Sequence, residues 1–500
     1  MFSLSLRALP GGPRRAGLAA RHCGATLKDL LLAIGLSVLG GCAADRSLGP
    51  QETLPAQQEL QAKLNLVAPA SPAAQPSSTW WMVYQDEELN RWIEKGLADS
   101  PSLHEAAARA ARAQAFFEST RAAQGPMLGF GADANQQRIS SNGIFPPPLA
   151  GMVGTLDDIG LSGSIEFDIF GRLAARTDAA RLDAEAGVAD RELARIRLAG
   201  AIGHAYFDLA RAQQTRRILV ELEEARSKML ELVVRRVQAG FDTQVERRLA
   251  EVPVPQIRAD IEQASEQIEL ARHSLALLAG QAPQAADGVD ARLPAGNLLT
   301  PPPALPLDLL ARRADVAAAQ TRVKAALRSV DAARADFYPN VNLTALVGLD
   351  SLSTQLLFQR SSRTWQIEPA IHLPLFDSGL LRANLRAASA DTDAAIDKYK
   401  TTVLQAAGEV ADALTSIASV QRQREQQEQA TRSAQSASDL AAIRYQAGLG
   451  NLLTVLVAQT SVLTERRAEL DLTARSASLN VTLAMALGGG YGAGPDAPAK

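Results

Sequence analysis

From Arg172 to Ala239 the sequence runs for 68 residues without a proline, and apolar residues such as Leu198, Ile202, Tyr206 and Leu209 recur at helical spacing. At 1.5 Å per residue such a helix spans roughly 100 Å, more than any compact domain needs. Gly240 breaks it. Thr243 to Ala279 then returns as a helix of 37 residues, in which Pro253 and Pro255 predict a kink or a local break. The pattern occurs twice. At an offset of 213, Arg109, Arg121 and Pro126 match Arg322, Arg334 and Pro339. At an offset of 208, Asp183, Gly200, Arg236, Gln238, Gly240 and Gly280 match Asp391, Gly408, Arg444, Gln446, Gly448 and Gly488. Two ungapped registers of this length make the chain a tandem duplication. The second copy reads as a helix over 307–336, a strand over 340–349, a strand over 365–376, a long helix over 380–447 and a return helix over 452–487.

Each copy places two strands ahead of its long helix. Between Gly160 and Gly171, Leu161, Gly163, Ile165, Phe167 and Ile169 alternate with Ser162, Ser164, Glu166 and Asp168, a period of two with one apolar and one wet face. Trp365, Ile367, Ile371, Leu373 and Leu375 alternate with Gln366, Glu368 and His372 in the same way. Leu128, Phe130, Ala132 and Ala134 alternate with Gly129, Gly131, Asp133 and Asn135, and Val341 and Leu343 flank Asn342. Strands of about ten residues with this pattern suit a barrel wall with lipid outside and water inside. Asp133, Glu166, Asp168, Asn342 and Glu368 are then expected to line the lumen, and Phe130, Ile165, Phe167, Val341, Leu343, Trp365 and Leu373 to meet lipid. Residues 141–158, with three consecutive prolines and several glycines, read as an exposed outer loop. Four strands cannot close a pore, since bacterial barrels start at about eight. Three copies would supply twelve strands and, with short helices stacked end to end beside each long one, twelve helical staves.

The N-terminus has an export pattern. Arg7, Arg14, Arg15, Arg21 and Lys28 precede the apolar run Leu30 to Leu39, too short to span a bilayer permanently but of signal-peptide length. It ends in Leu39-Gly40-Gly41-Cys42, similar to a bacterial lipoprotein box, with Cys42 as the acylated residue and the only cysteine after cleavage. No disulfide within one chain is then expected. Removal of residues 1–41 takes away five Lys/Arg and one Asp, so the net charge moves from −3 to −7, which is no basic footprint for nucleic acid. The organisation expected is a signal peptide (1–41), a lipid-anchored linker rich in Pro, Ala, Ser and Gln (42–79), a first repeat (80–285) and a Pro-rich inter-repeat segment (286–306). A second repeat (307–490) and a tail (491–500) follow.

Catalytic chemistry finds no foothold. His104, His204, His273 and His372 occupy periodic positions without a nearby Cys/His partner, and no Walker loop, HExxH or nucleophile elbow is present. The competing non-enzymatic readings are a lipid-anchored periplasmic scaffold or adaptor without its own pore, and a type I secretion exit duct. Four amphipathic strands alternating with four helical segments favour a conduit over the scaffold.

The chain resembles the TolC-type outer-membrane factors of bacterial tripartite efflux and secretion systems, in the lipoprotein branch of NodT/OprM-like channels. The matching pieces are Leu39 to Cys42, the Trp80-Trp81 opening, SIEFDIFGR at 164–172, RVQAGF at 236–241, LPLDLLARRAD at 305–315, ARADFYPNVNL at 333–343, LPLFDSGLLRA at 373–383 and RYQAGLGNLL at 444–453. The resemblance covers residues 80–490. It implies a mixed tandem-repeat fold: a trimeric 12-stranded transmembrane β-barrel continuous with a 12-stave periplasmic α-helical barrel, a passive conduit for small toxic compounds. The implied partners are two further copies, a periplasmic adaptor, an inner-membrane pump of the RND or another drug or aromatic-acid class, and outer-membrane lipid. No metal or cofactor is implied beyond N-acyl (palmitate) and S-diacylglycerol lipid on Cys42. The turn residues Gln238, Gly240, Phe241, Gln446, Gly448 and Leu449 would dock the adaptor. Tyr445 matches a tyrosine that latches the family's periplasmic aperture, while Thr454 and Val457 stand where aspartates are common and Glu246 keeps an acid. The aperture implied is an apolar constriction at Leu453 and Val457 with one ring of Glu246 carboxylates. Ala314 stands where the family commonly has proline, as in members that serve aromatic-acid or fusaric-acid exporters.

Overall fold

The computed structural model describes residues 49–55, 59, 76–294 and 312–492, all within one compact unit. Cys42, the signal run, most of the linker and residues 295–311 lie outside the described residues.

Helices dominate. α1 (Glu87–Asp99) and α2 (Pro101–Ala122) lead into the strands β1 (Met127–Arg138) and β2 (Val153–Phe167). The helices α3 (Arg172–Gln238), α4 (Gln244–Glu251) and α5 (Pro253–Leu278) complete the first repeat. The second repeat has α6 (Ala314–Ala335), β3 (Asn340–Ser351), β4 (Arg363–His372), α7 (Leu380–Gln446) and α8 (Leu452–Ala486). α3 and α7 have 67 residues each, roughly 100 Å of helix. Short helices flank them: α3 packs against α2, α5, α6 and α8, and α7 against α6 and α8. Among the described residues no helix is long and apolar enough to cross a membrane. The prolines act at the seam between α4 and α5, where Pro253 is the first residue of α5 and Val252 keeps helical dihedrals. Pro253 and Pro255 fall in a first turn, where the missing N–H groups have no intrahelical partner to lose.

The largest core lies at mid-length of α3. Trp80, Trp81, Tyr84, Trp92 and Ile93 are buried against Ile202, Tyr206, Phe207 and Leu209. Each such side chain contributes roughly 1.5–3 kcal/mol of burial. Asp86 caps α1 by accepting from the Glu88 and Leu89 N–H groups at 3.0 and 3.1 Å, and its other oxygen accepts from Tyr206 Oη at 2.7 Å. At the start of the second repeat, Arg313 is buried and forked, with Nη2 on Asp315 at 2.8 Å and Glu409 at 2.7 Å and Nη1 on the Ala486 carbonyl at 2.8 Å. Ala314 follows as the first residue of α6, a position where a proline would also fit. Part of the linker also has a fixed place. The Gln51 and Glu52 N–H groups donate to the Asp393 carboxylate at 3.2 and 2.9 Å, and Lys400 holds Glu52 at 2.5 Å.

The four strands form one antiparallel sheet in the order β1-β2-β3-β4. Directly opposed residues share a face, so Phe130, Leu161, Val347 and Trp365 form one row and Asp133, Asp158 and Asp350 a row on the other side. The apolar face is open: Phe130 is 69% exposed and Trp365 74%. Several strand limits differ from the sequence pattern, and two of the differences have a plain cause. β2 begins at Val153, because 153–158 pair with the polar stretch Asp133–Arg138 and thereby shorten the loop. β4 ends at His372, since Pro374 cannot donate to a ladder, so Leu373, Leu375 and Phe376 lie beyond the strand.

Candidate functional site

The two glycine turns lie at the ends of the long helices farthest from the sheet. Gly240 and Gly448 have φ of 79° and 75°, a left-handed conformation that costs glycine nothing. Phe241 N–H reaches back to the Arg236 carbonyl at 2.9 Å and Leu449 N–H to the Arg444 carbonyl at 2.8 Å, so each turn caps its helix in Schellman fashion. Gln238 and Gln446 are exposed beside these glycines, and Phe241 (76%) and Leu449 (72%) project into solvent.

Beneath the turns the repeats are cross-linked. Tyr445, buried with Met229, Val233, Ala250, Leu452 and Val455, donates its hydroxyl to Asp242 Oδ2 at 2.5 Å. Arg236 Nε donates to the same oxygen at 2.8 Å, and the guanidinium lies 4.7 Å from the Tyr445 ring centroid. The charge-assisted bond from Arg236 is the main cause holding the Asp242 carboxyl below its ordinary range. Burial first, then the carboxylate it donates to, pushes the Tyr445 phenol up. Arg236 is held charged by Asp242. The cross-link thus takes two residues from the first turn and one from the second. Sequence reasoning selected Tyr445 and missed Asp242, whose signal was an acid two residues after Gly240 where the second copy has Gly450.

Glu246 has a structural task that the sequence reading did not foresee. It is the third residue of a capping box: its carboxylate accepts from the Thr243 N–H at 2.8 Å and from the Thr243 hydroxyl, while Thr243 Oγ1 accepts from Val245 N–H at 3.1 Å. Those bonds, the Thr243 hydroxyl foremost, lower its carboxyl below the ordinary value. Thr454 holds the equivalent place in α8, donating its N–H and hydroxyl to Asn451 Oδ1 at 2.9 and 2.7 Å. Leu453 and Val457, one turn apart, are each 58% exposed.

In the sheet, Asp133, Glu166, Asn342 and Glu368 share the face opposite Phe130 and Trp365. Glu166 is not a free acid there, since Arg172 holds it at 2.5 Å and Arg172 and Arg176 both engage Asp336. Glu368 accepts from Gln366 Nε2 at 2.9 Å. Asp168 is a correction. β2 ends at Phe167, and the Asp168 carboxylate instead accepts from the Leu173 and Ala174 N–H groups at 3.0 and 2.7 Å, capping α3, because a carboxylate at a helix N-terminus satisfies orphan donors and the dipole together. Asp158 and Asp350 were missed: Asp158 fell in a presumed loop and Asp350 one residue past the expected strand. Both oppose each other directly, with Asp133 in the same row.

A long-helix hairpin in each repeat joined to a two-faced sheet is an arrangement shared with known proteins. The family model for outer membrane efflux proteins matches residues 92–281 and 305–489. The chain belongs to the outer membrane efflux protein family. It is 30% identical over 469 residues to the multidrug resistance outer membrane protein MdtQ of Escherichia coli O6:H1, covering 91% of this chain and 96% of that one. It is 33% identical over 371 residues to the fusaric acid resistance protein FusA of Burkholderia cepacia, covering 73% and 69%. The solved outer membrane protein VceC of Vibrio cholerae superposes with a TM-score of 0.78 at 34% identity, over 83% of this chain and all of that one. This efflux protein is therefore an outer-membrane channel of the TolC-like fold, extending into the periplasm.

Proposed function

We propose that the protein is the outer-membrane exit duct of a tripartite efflux assembly, passively conducting small toxic compounds delivered by an inner-membrane pump through a periplasmic adaptor. Three copies close one conduit, with the four-stranded sheets forming a 12-stranded barrel and the helices a periplasmic tunnel. The observation that carries this reading is the sheet: one face apolar and open, the other lined by Asp133, Asp158, Asp350 and Glu368, joined directly to 67-residue helices. A soluble sheet would bury that apolar face, whereas a bilayer covers it. Lipid on Cys42 adds a second attachment. The turns at Gln238–Phe241 and Gln446–Leu449 form the adaptor surface, Tyr445 with Asp242 and Arg236 latches the closed mouth, and Leu453 and Val457 narrow it. Glu246 carboxylates, one from each copy, supply the acid ring. The kinship with FusA supports an aromatic acid among the cargoes.

Planar-bilayer recording tests the reading. Purified protein is expected to give discrete conductance steps, mostly closed at low voltage. A lipid-anchored scaffold without a pore gives none, and that result would remove the conduit.

A further inference from the structure

The charges of the sheet divide by face. On the face shared by Phe130, Leu161, Val347 and Trp365, the only charged residues of the four strands are Arg138, Asp157 and Arg363. The other face carries Asp133, Asp158, Glu166, Asp350 and Glu368 and no Lys or Arg. Both arginines stand at the end of the sheet away from the helices, since Arg138 closes β1 and Arg363 opens β4. The helices extend into the periplasm, so this end and its two loops, 139–152 and 352–362, face outward, and neither loop contains an acid. Asp157 neutralises neither arginine. It is 2% exposed, stands opposite Ala134 and Ser351, and its carboxylate has no hydrogen-bond partner among the described residues.

The second loop presents its charge from a fixed turn. Gln359 N–H donates to the Leu356 carbonyl at 3.0 Å, Ser362 N–H to the Gln359 carbonyl at 3.1 Å, and the Ser362 hydroxyl to the Leu356 carbonyl at 2.7 Å. Leu357 and Ser362 are buried beneath it. Arg360 and Arg363 are exposed, and in sequence they are bracketed by Phe358 (77% exposed) and Trp365 (74%). Among the described residues neither guanidinium has a hydrogen bond or an ion pair, whereas Arg172, Arg236 and Arg313 are each held by acids.

Two unpaired guanidiniums between open aromatic side chains, at the rim of an apolar face, suit an anion that arrives attached to hydrocarbon. Aromatic rings settle at headgroup level, and arginine forks onto a phosphate with two parallel bonds. The outer leaflet of a bacterial outer membrane is built of a glycolipid whose headgroup carries phosphates. We infer that Phe358, Arg360, Arg363 and Trp365 form a docking platform for a phosphate of that glycolipid, with Arg138 a further contact on the β1–β2 hairpin. This rests on the lipid-facing reading of the sheet above and adds which lipid is held and by which residues. An anionic cargo fits the platform poorly, because Arg363 is on the face opposite the acids that line the conduit. Solvated arginines would need no open aromatic neighbours.

Native mass spectrometry tests this on the full-length protein in detergent, titrated with diphosphoryl lipid A while a chelator removes bridging cations. The parent is expected to bind saturably, and to bind dephosphorylated lipid A about tenfold more weakly or worse. Arg360→Gln with Arg363→Gln should lose about as much toward the phosphorylated form, while Arg360→Lys with Arg363→Lys, which keeps the charge without the fork, should fall between. Arg91→Gln with Arg109→Gln removes the same charge from exposed positions of α1 and α2 and should bind like the parent. If the glutamine variant fails to assemble, the lysine variant and the dephosphorylated lipid carry the test. Equal binding of the two lipids would leave apolar contact alone, and equal binding by parent and glutamine variant would put the phosphate elsewhere; either overturns the platform. Competition by inorganic phosphate at the lipid's own concentration would make this a free-anion site and overturn it as well. Failure of the parent to insert into phosphatidylcholine vesicles would remove the lipid-facing reading itself, whereas insertion without preference for the phosphorylated glycolipid removes only the platform.

Discussion

Tyr445→Phe is the sharpest test of the latch because it removes one oxygen and little else. The ring stays packed against Met229, Val233 and Leu452, and its face remains available to the Arg236 guanidinium. What is lost is the bond to Asp242 Oδ2, made at 2.5 Å with a charged acceptor and a donor that is 1% exposed. Bonds of that kind contribute about 1.5–3 kcal/mol, and the lower end applies here because Arg236 still partners the carboxylate. Three latches broken in one concerted opening sum to about 4–5 kcal/mol, a shift of roughly a thousandfold in the closed-to-open ratio. In planar bilayers a channel closed almost all the time in the parent is expected to open frequently in Tyr445→Phe, and more so when Val457→Ser also widens the constriction. Closed-state conductance within twofold of the parent, with unchanged assembly, would refute the latch. The pH response follows from the same triad. The Asp242 carboxyl is depressed in the fold, so its contribution is present above the unfolded value near about 4 and is lost only as pH falls through the lower folded value. The Tyr445 phenol is raised, so its contribution is complete below the unfolded value near about 10 and is lost as pH climbs through the higher folded one. Closed-state conductance should be flat between those limits, and a step between about pH 5 and pH 9 would contradict the triad as the gate.

Other perturbations separate charge from structure elsewhere. Glu246→Gln keeps the capping box, since an amide oxygen still accepts from Thr243, so unfolding midpoints should move little while any block by divalent cations disappears; block that persists moves the acid ring elsewhere. Phe130→Arg places a cation on the lipid face and should cost roughly 2–4 kcal/mol per copy near mid-membrane, seen as failed assembly in outer-membrane fractions. Asp158→Asn, on the opposite face, should assemble normally and lower cation selectivity measured from reversal potentials; the converse pair of outcomes would invert the sheet. Cys42→Ala with a cleavable signal should still give a membrane-embedded trimer, because a closed barrel holds far more strongly than acyl chains, and recovery as soluble monomer would show that the lipid is the anchor.

The helices were legible because a period of 3.6 persists for nearly seventy residues, and the turns because glycine alone takes positive φ there without strain. The strands were legible where apolar and polar residues alternate. The pattern failed at Asn135–Arg138 and Val153–Leu156, which pair with each other although neither alternates cleanly. There the partner strand supplies the ladder, and propensity is overridden by pairing. Asp168 was misplaced by extending a period of two across a strand end. The alternation ran on in the sequence, but the backbone had already turned to start α3, where a carboxylate meets unpaired N–H groups.

The residues that do chemistry-like work here sit where the two copies diverge. The latch needs Asp242 in the first turn and Tyr445 in the second, and the equivalent positions, Gly450 and Val237, could form no such bond. The ionic cluster of Glu166, Arg172 and Asp336 below the sheet has Pro374 and Leu380 at the matching places of its first two members, so it too exists once per chain. A duplicated framework in which both copies kept the same groups would close with six equivalent contacts around the mouth. In the proposed trimer three latches, each spanning a pair of unlike turns, would tie the first repeat to the second at the tip. Displacing either turn breaks the same bond, so the two turns are coupled through Asp242. If an adaptor docks at Gln238–Phe241, as proposed above, it meets the chain within a few residues of that carboxylate, and exchange of the Tyr445–Asp242 hydrogen bond would be a physical route from docking to opening.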